Sequence, residues 1–485
     1  MDVTAEGAAA REERNWLWLL GTVVVALSVA RLVIDLLTGS RLLQDHPSGA
    51  WAALSDDLLH GVLYRPVESE LGWGGTRYPP FYFALRALLA RGGLGLIGAG
   101  ALLDAGALAA LVLVMHGVLR ELGVERWLAR GAAMVGIAVV PAQLLLGLGK
   151  ADLVATALSL GGVLLALRRR PVSAAALFGL AVLTKWTVVF GWVASMHDAL
   201  AQGRRRAAAR LLLVTLAWVG AGVALASWAS DGRLLAQLRA CATGGGLRLV
   251  EGPIDFLIGP FGADEALILL AFAALAVARL RSGLPLKLLG WTLVGTIAVF
   301  LSPGIAENHF LDLDFAAWIA LTACIGSPAV PRRFGTLVLA SLAVLSLVRI
   351  APFAIDGPRN VRIEAVRPAL GEPRAGPLLS ENPWVPLQLG ERPVLLDAFT
   401  FRILARRDPE LMRRLGDDLA RRRFRAVVLR RSPVYGAGRS WYSDMHFGPG
   451  FVEALEANYQ RTAVFPAIPG GEWTLDVWRP RSASP

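Results

Sequence analysis

Long apolar segments recur along most of this chain, and they limit its fold more than any other feature. Many have about 17 to 25 residues, the length of a helix that crosses about 30 Å of hydrocarbon. Hydrophobic residues make up 55% of the 485 residues and charged residues only 18%, below the roughly 25% of an average soluble domain. The chain is therefore expected to be mostly α-helical and to cross a membrane many times. The apolar segments lie at residues 16–38, 94–118, 129–148, 151–167, 172–199, 208–229, 264–280, 285–302, 310–327 and 335–351.

The distribution of basic residues predicts how these segments are oriented. The segment 172–199 is too long for one crossing and carries Lys185 in its middle, so we expect two short helices there and about eleven crossings in all. Lys and Arg collect in cytoplasmic loops, which accounts for the net charge of +11 without nucleic acid. A cytoplasmic N-terminus places the arginine-rich loops inside, and these are 120–130, 168–171, 203–206, 278–287 and 331–334. The loops 39–93, 149–150, 230–263 and 303–309 then face outward.

Two shorter features complete the predicted topology. The first apolar run lacks a small-residue cleavage site, so we interpret it as a retained helix and not as a signal peptide. The stretch PPFYFALRALLA (79–90) has about twelve residues and contains Arg86, which favours a membrane-embedded or surface helix over 79–91. If this stretch were counted as a crossing, the later segments would reverse their orientation and most arginine-rich loops would lie outside.

The composition changes after residue 352, where long apolar runs give way to Pro, Arg and Glu. We therefore divide the chain into a transmembrane domain, 1–352, and an extracytoplasmic α/β domain, 353–485. The segments 393–399, 424–430 and 473–480 are typical of strands. Residues 408–422 predict a helix with Asp408 as its N-cap and Pro409 at its first position. A phosphate loop and a GxGxxG motif are both missing from this domain, so no nucleotide site is predicted.

Polar residues are concentrated in the loops that the topology places outside. The loop 39–93 is too long for a simple connection, and loops of that length tend to be functional, although a solvated loop would also be acidic. Lys150 and Asp152 occupy a turn between two spans, where a lysine could also extend its side chain to the interface. Lys185 lies far from either end of its apolar run, and charges at that depth usually face a cavity or a partner. The other candidates are Asp45, His46, Asp56, Asp57, His60, Arg65, Glu68, Glu70 and Arg77 in the first loop, and Glu307, Asn308, His309 and Asp312 in the last.

These residue types favour a particular chemistry. Carboxylates can accept a proton from an attacking hydroxyl, and Arg and Lys can stabilise the charge of a departing phosphate. Together at the lipid boundary they suit a phosphorylated, lipid-linked substrate. The two cysteines, Cys241 and Cys324, form no zinc-binding spacing. No cofactor is expected, and a divalent metal is possible but not indicated.

Several short motifs resemble the GT-C membrane glycosyltransferases, which include family 39, ArnT-like and bacterial mannosyltransferase-type enzymes. The resemblance covers about residues 16–330, and the order and spacing of its motifs carry it. The motifs are Asp45 after the first span, Trp51 to Tyr64, RYPPF (77–81), GLGKADL (147–153), LTKWTVVF (183–190) and ENHFLDL (307–313). Within these motifs, Lys150 stands where Gln is usual, His309 where Tyr is usual, and Asp312 where Glu is usual.

The resemblance implies an inverting transfer of a sugar from a polyprenyl-phosphate donor to a hydroxyl of a lipid, glycan or protein acceptor at the outer membrane face. It implies Asp45 as general base, but Asp45 lies about two residues further from the aromatic position than is common, and His46 follows it in place of a second acid. Asp57 therefore remains a rival for the base. The donor-phosphate candidates are Arg77, Lys185, His309 and Arg65. The candidates for the substrate cavity are His46, Asp57, Tyr64, Tyr78, Lys150, Asp152, Glu307 and Asn308.

A different class of protein also keeps charges within the membrane. Secondary transporters and flippase-like permeases do so, often with internal repeats and paired broken helices. The two halves of this chain show no duplicated pattern, and a domain of about 130 residues outside the membrane is unusual for such proteins. The enzyme is the preferred interpretation, in a bacterial-type plasma membrane, with the transporter as the alternative.

Overall fold

Helices make up most of the computed structural model, which describes the chain apart from a few short segments. Those segments are residues 1–2, 40–42, 44, 243–245, 259–261, 278–282, 303, 305–306, 329, 357–361, 432–440, 467–473 and 483–485. The helices of the N-terminal part are α1 Val3–Thr38, α2 His46–Leu59, α3 Pro80–Leu89, α4 Gly95–Glu121, α5 Arg126–Gly136, α6 Val140–Leu145, α7 Asp152–Leu167, α8 Pro171–Thr184, α9 Phe190–Ala201, α10 Arg205–Ala229, α11 Arg233–Ala242, α12 Glu251–Ile258, α13 Gly262–Val277, α14 Leu284–Phe300, α15 Leu311–Ile325 and α16 Arg332–Asp356.

Three helical stretches among the described residues are long and apolar enough to cross a membrane. They are Trp16–Thr38, Pro80–Glu121 and Arg205–Ala229. The described residues also form shorter apolar helices, at Asp152–Leu167, Pro171–Thr184, Glu265–Ala276 and Leu284–Phe300. Helix α15 is buried along its whole length, so it forms the centre of the bundle.

Two of the expected spans are broken. The segment 129–148 forms α5 and α6 instead of the single helix that we expected, because Pro141 begins a new helix and has no N–H to continue the first. The break expected within 172–199 is present, and Lys185 is the residue that ends α8.

The stretch 80–121 also bends near its start. Helix α3 has 10 residues and is about 15 Å long, half of what a crossing needs. A short π-helical turn, Ala90–Leu94, joins it to α4. Gly93 in this turn has a φ of 101°, which glycine adopts without strain. The helix expected over 79–91 is therefore separate from the long helix that follows it.

The C-terminal part contains a small sheet covered by helices. Its helices are α17 Ile363–Val366, α18 Trp384–Gln388, α19 Ala398–Ala405, α20 Pro409–Ala420 and α21 Phe451–Asn458. A hairpin earlier in the chain provides β1 Glu68–Ser69 and β2 Gly72–Trp73, and the C-terminal strands are β3 Leu378–Ser380, β4 Ala426–Arg431, β5 Tyr459–Pro466 and β6 Thr474–Pro480. The strand order is β3-β4-β6-β5, with β3 parallel to β4 and the other pairs antiparallel.

The sequence predicted part of this region correctly. The predicted strands at 424–430 and 473–480 correspond to β4 and β6, and Asp408 caps α20 as expected. The strand expected at 393–399 is wrong. Only Leu395 pairs there, in an isolated bridge with Trp73, because Asp397 accepts hydrogen bonds from the N–H groups of Phe399 and Thr400 and so starts α19.

The C-terminal part packs directly on the segment that follows α1. Helices α2 and α18 approach closely at Gly49, where a Cβ atom would lie 2.4 Å from Oδ1 of Asn382. The indole N–H of Trp384 donates to the hydroxyl of Ser48 at 2.9 Å. The residues between α1 and α3 are therefore held between the helical bundle and the C-terminal sheet.

Candidate functional site

Four hydrogen bonds fix the turn between α6 and α7, which carries Lys150. The carboxylate oxygen Oδ2 of Asp104 on α4 accepts from the N–H groups of Gly147 and Gly149, at 2.9 Å each. The guanidinium of Arg86 donates to the Gly149 carbonyl at 2.9 Å, and the Ser48 hydroxyl donates to the Leu148 carbonyl. Both glycines have positive φ, +85° and +65°, so the turn needs glycine at these positions.

The turn brings Lys150 to Asp45. The ammonium nitrogen of Lys150 lies 3.1 Å from Oδ2 of Asp45, and both side chains are mostly buried. The other oxygen, Oδ1, accepts from the N–H of Ser48 at 3.0 Å and caps α2. Asp45 is therefore both a helix cap and the partner of a buried lysine.

Asp152, two residues after Lys150, forms a second ion pair. Lys185, at the break between α8 and α9, donates to Oδ1 of Asp152 at the start of α7. The amide of Asn308 donates to the same oxygen at 2.7 Å. The carboxylate of Glu307 attracts the ammonium group of Lys150. We call Asp45, Lys150, Asp152, Lys185 and Asn308 the polar cluster.

A small cavity opens beside the Asp152–Lys185 pair. His309 and Asp312 line it together with these two residues and Asn308. On its wall, the hydroxyl of Thr156 donates to Asp312 at 2.7 Å. The cavity volume is about 10 Å³, roughly the space of one water molecule. The structure thus brings the three last motifs of the sequence together around one cavity.

Aromatic residues within the segment 45–80 contact one another. The ring of Tyr78 stacks on that of Trp51, with centroids 4.3 Å apart, and the hydroxyl of Tyr64 donates to the Tyr78 carbonyl at 3.1 Å. The main chain before Tyr78 is fixed as well, because the indole N–H of Trp186 donates to the Arg77 carbonyl at 2.8 Å. Trp186 follows Lys185, so this bond ties the arginine segment to the lysine segment.

Arg77 and an arginine from the C-terminal part both contact the aromatic ring of Phe399. The guanidinium carbon of Arg77 lies 4.7 Å from the centroid of Phe399, and that of Arg402 lies 5.1 Å from it. Arg402 is buried, and its Nε and Nη2 have no hydrogen-bond partner among the described residues. Burial and the neighbouring Arg406 lower the pKa of Arg402 to about 10, so it keeps its charge at neutral pH.

Two of the predicted site residues are paired with each other. Arg65 and Asp57 are fully buried and form a bidentate ion pair, with N–O distances of 3.0 and 2.6 Å. Arg65 also donates to the carbonyls of Leu71 and Pro393, which leaves it at most one free N–H for a ligand. The pair is therefore enclosed between the loop 45–80 and residue 393.

His46 contacts the C-terminal part. Its ring lies 4.4 Å from that of His446 in an edge-on arrangement, and Nδ1 of His446 lies 2.5 Å from Oε1 of the buried Glu381. The ring of Trp441 packs beside both histidines. His46, which directly follows Asp45, is thus in contact with the C-terminal part.

Three residues at the site were missed from the sequence. Asp104 and Arg86 are buried charges in apolar helices, which is a signal of function or of a specific partner in a membrane segment. Arg402 carries no such signal, because arginines are frequent in the C-terminal part. Within the described residues, no group of three or more His, Cys, Asp and Glu side chains is arranged to hold a metal ion.

The fold of the chain is similar to that of two solved GT-C glycosyltransferases. The archaeal oligosaccharyltransferase AglB of Archaeoglobus fulgidus, in complex with an inhibitory peptide and a dolichol-phosphate, has a TM-score of 0.55 and 14% identity over 95% of this chain and 74% of that chain. ArnT of Cupriavidus metallidurans, bound to undecaprenyl phosphate, has a TM-score of 0.54 and 14% identity over 96% of this chain and 98% of that chain. At 14% identity, the similarity to these two structures shows the fold alone.

The family itself is shown by sequence. The model of glycosyltransferase family 87 matches residues 76–328, just over half of the chain, and the chain belongs to that family. No curated protein matches it in sequence. The protein is therefore an integral membrane glycosyltransferase with a GT-C fold, which decides against the transporter.

Proposed function

We propose that this protein transfers a sugar from a polyprenyl-phosphate donor to an acceptor hydroxyl at the extracytoplasmic face of the membrane, with inversion at the anomeric carbon. The observation that carries the proposal is the polar cluster, in which Asp45 and Asp152 are each joined to a lysine where α2, α7 and α8 meet. The complexes of AglB and ArnT with dolichol-phosphate and undecaprenyl phosphate support a lipid-linked donor.

The orientation follows from the arginines. Asp152 and Lys185 lie at one end of α7 and α8, and Arg169 and Arg170 lie at the opposite ends of the same helices. Basic residues collect on the cytoplasmic side, so the polar cluster and the C-terminal part belong outside. We retain about eleven crossings and an extracytoplasmic domain from about residue 353, although α16 continues to Asp356.

Asp45 would act as the general base. The acceptor hydroxyl attacks the anomeric carbon, its proton passes to the carboxylate of Asp45, and the bond between that carbon and the phosphate oxygen breaks. The products are the glycoside and the polyprenyl phosphate. A carboxylate can accept about four hydrogen bonds, so the bonds from Ser48 and Lys150 still leave Asp45 able to accept the proton.

The departing phosphate needs cations. Lys185 and His309 line the cavity, and Arg77 lies in the segment that Trp186 ties to Lys185. Preorganised cations placed where charge develops lower the barrier to reaction. Arg402 would add a second guanidinium beside Arg77. His46, Tyr64, Tyr78, Lys150, Asp152, Glu307 and Asn308 would shape the pocket, and Asp57 with Arg65 would hold the loop that carries it.

The acceptor would enter from the side of the C-terminal part, as a lipid, a glycan or a protein. The contacts of Trp384 with Ser48 and of His446 with His46 place this part next to Asp45. The transfer itself requires no nucleotide and no bound metal in this proposal.

The test is transfer by the purified protein in liposomes. Radiolabelled polyprenyl-phosphate sugars and membrane extracts as acceptors should give a labelled product, and the anomeric configuration by NMR should be opposite to that of the donor. A product with retained configuration would overturn the mechanism. Labelling of a Gln460→Cys variant, with Cys241 and Cys324 replaced by serine, tests the orientation, because an impermeant reagent should reach residue 460 from outside in intact cells.

A further inference from the structure

A large cavity lies at the end of the bundle opposite the polar cluster. It has a volume of about 550 Å³ and is formed by α7, α8, α9, α10 and the start of α14. Helix α7 spans the distance between the two sites, because Asp152 begins it and Leu167 ends it. Its 16 residues correspond to about 24 Å, so the cavity is separate from the candidate active site.

The cavity is strongly basic. Five arginines line it, namely Arg169, Arg204, Arg205, Arg206 and Arg210. Asp198 also lines it, but its two oxygens already accept from Lys287 at 2.8 Å, Gln202 at 2.7 Å and Arg204 at 3.4 Å. None of the other four arginines forms an ion pair with a described residue. An anion is therefore the expected ligand.

Two groups in the wall lack a partner. The hydroxyl of Ser195 is buried without a hydrogen bond to any described residue, and so is Nε of Arg204. The Ser195 side chain belongs to a residue only 4% exposed. Buried polar groups are normally satisfied, so these two donors point to a ligand that accepts hydrogen bonds.

The remaining wall is apolar and continues along the outside of the bundle. Leu167, Pro171, Leu211 and Leu284 line the cavity. Beyond Leu211, helix α10 exposes Leu212, Leu213 and Leu216, a surface suited to hydrocarbon chains. Basic residues whose only role is to orient the helices in the membrane do not need to line a cavity with an apolar wall.

We propose that this cavity binds the phosphodiester headgroup of an anionic phospholipid, with its acyl chains along the leucines of α10. Basic pockets between membrane helices on the cytoplasmic side bind such headgroups. The phosphate would lie among the arginines and accept from Ser195. The ligand is thus a structural lipid of the cytoplasmic leaflet, distinct from the lipid-linked donor at the other end.

The test uses the purified full-length protein in detergent and native mass spectrometry with added phosphatidylglycerol or phosphatidylcholine. We expect selective retention of phosphatidylglycerol. The Arg169→Gln/Arg206→Gln variant should bind it about thirtyfold more weakly, since each basic residue contributes about 1 kcal/mol. The matched control is Arg126→Gln/Arg170→Gln, which removes the same charge from two arginines outside the cavity lining. Like Arg169 and Arg206, these two arginines are exposed.

Two further arms separate the alternatives. Soluble glycerol phosphate at the same concentration should not compete, because it lacks acyl chains, and competition would overturn the lipid assignment in favour of a free phosphate. Ala207→Phe fills the cavity without changing charge and should also reduce binding, which covers the case in which the double variant fails to fold. Equal loss in the control pair, or equal retention of the two lipids, would overturn the proposal.

Discussion

The ammonium nitrogen of Lys150 lies 3.1 Å from the carboxylate oxygen Oδ2 of Asp45, across 105 residues of sequence. The pair joins the first loop to the turn before α7, and Asp104 holds that turn in place. In the proposed function, transfer would take place at this arrangement of carboxylates and lysines. Each of the following predictions separates a chemical role in that arrangement from a supporting one.

Asp45→Asn should abolish most transfer and leave the fold intact. Asn caps a helix as well as Asp does, so α2 should persist, whereas the loss of a general base costs about 10²–10⁴-fold in rate. Turnover and donor binding, measured together, should show the loss in turnover. Asp56→Asn is the matched control on the same helix and should retain activity. Comparable turnover in the two variants would remove Asp45 from the mechanism.

Lys185→Met should weaken use of the donor, because it removes a charge next to the cavity at nearly constant side-chain length. The control is Lys287→Met, since Lys287 is about as buried, at 10% against 16% exposed, and is also paired with an aspartate. Steady-state kinetics with varied donor should show an effect for Lys185 alone. An equal effect of both changes would indicate general destabilisation.

Asp57→Asn should reduce stability more than it reduces turnover per folded molecule. Removing one partner of a buried ion pair costs about 3–5 kcal/mol, and Arg65 would be left without its carboxylate. Thermal unfolding in detergent should show a large decrease in the midpoint. If the variant is as stable as the native protein but inactive, Asp57 is the base after all.

Asp104→Ala should lower turnover because the Gly147–Gly149 turn loses its acceptor and Lys150 is no longer held beside Asp45. Asp104→Asn keeps an oxygen in the same place and should restore much of the activity. Rescue by Asn, with little change in donor KM, would mark Asp104 as a positioning residue. Failure of Asn to rescue would point to a need for the charge itself.

The contact between His46 and the C-terminal part should weaken in acid. Burial, with repulsion from His446 and Arg430, holds the pKa of His46 well below its usual 6.5. The unfolded chain binds this proton more tightly than the folded protein does, so stability is complete above pH 6.5 and falls as the pH decreases. Unfolding midpoints at about pH 7.5 and about pH 5 should differ less for His46→Gln than for the native protein. His60→Gln is the control, because His60 is exposed, and an unchanged difference in both variants would contradict the prediction.

The sequence by itself determined that the chain is helical and apolar, that it breaks at Lys185 and that its polar residues lie in particular loops. These features depend on local spacing, because about 20 apolar residues or one proline has the same consequence in any context. The helix at Asp408 and the strand at 473–480 were predictable for the same reason.

Only the tertiary structure decided which charges meet. Asp57 with Arg65 and Asp45 with Lys150 are both pairs of an aspartate and a basic residue. Yet the first pair is enclosed between the loop and residue 393, and the second lies at the junction of three helices. The strand expected at 393–399 became the start of α19 because Asp397 caps it. Contacts between residues that are distant in sequence depend on packing, which local sequence does not encode. For this reason the partners of Asp45, Asp152 and Arg77 could be identified only in the folded chain.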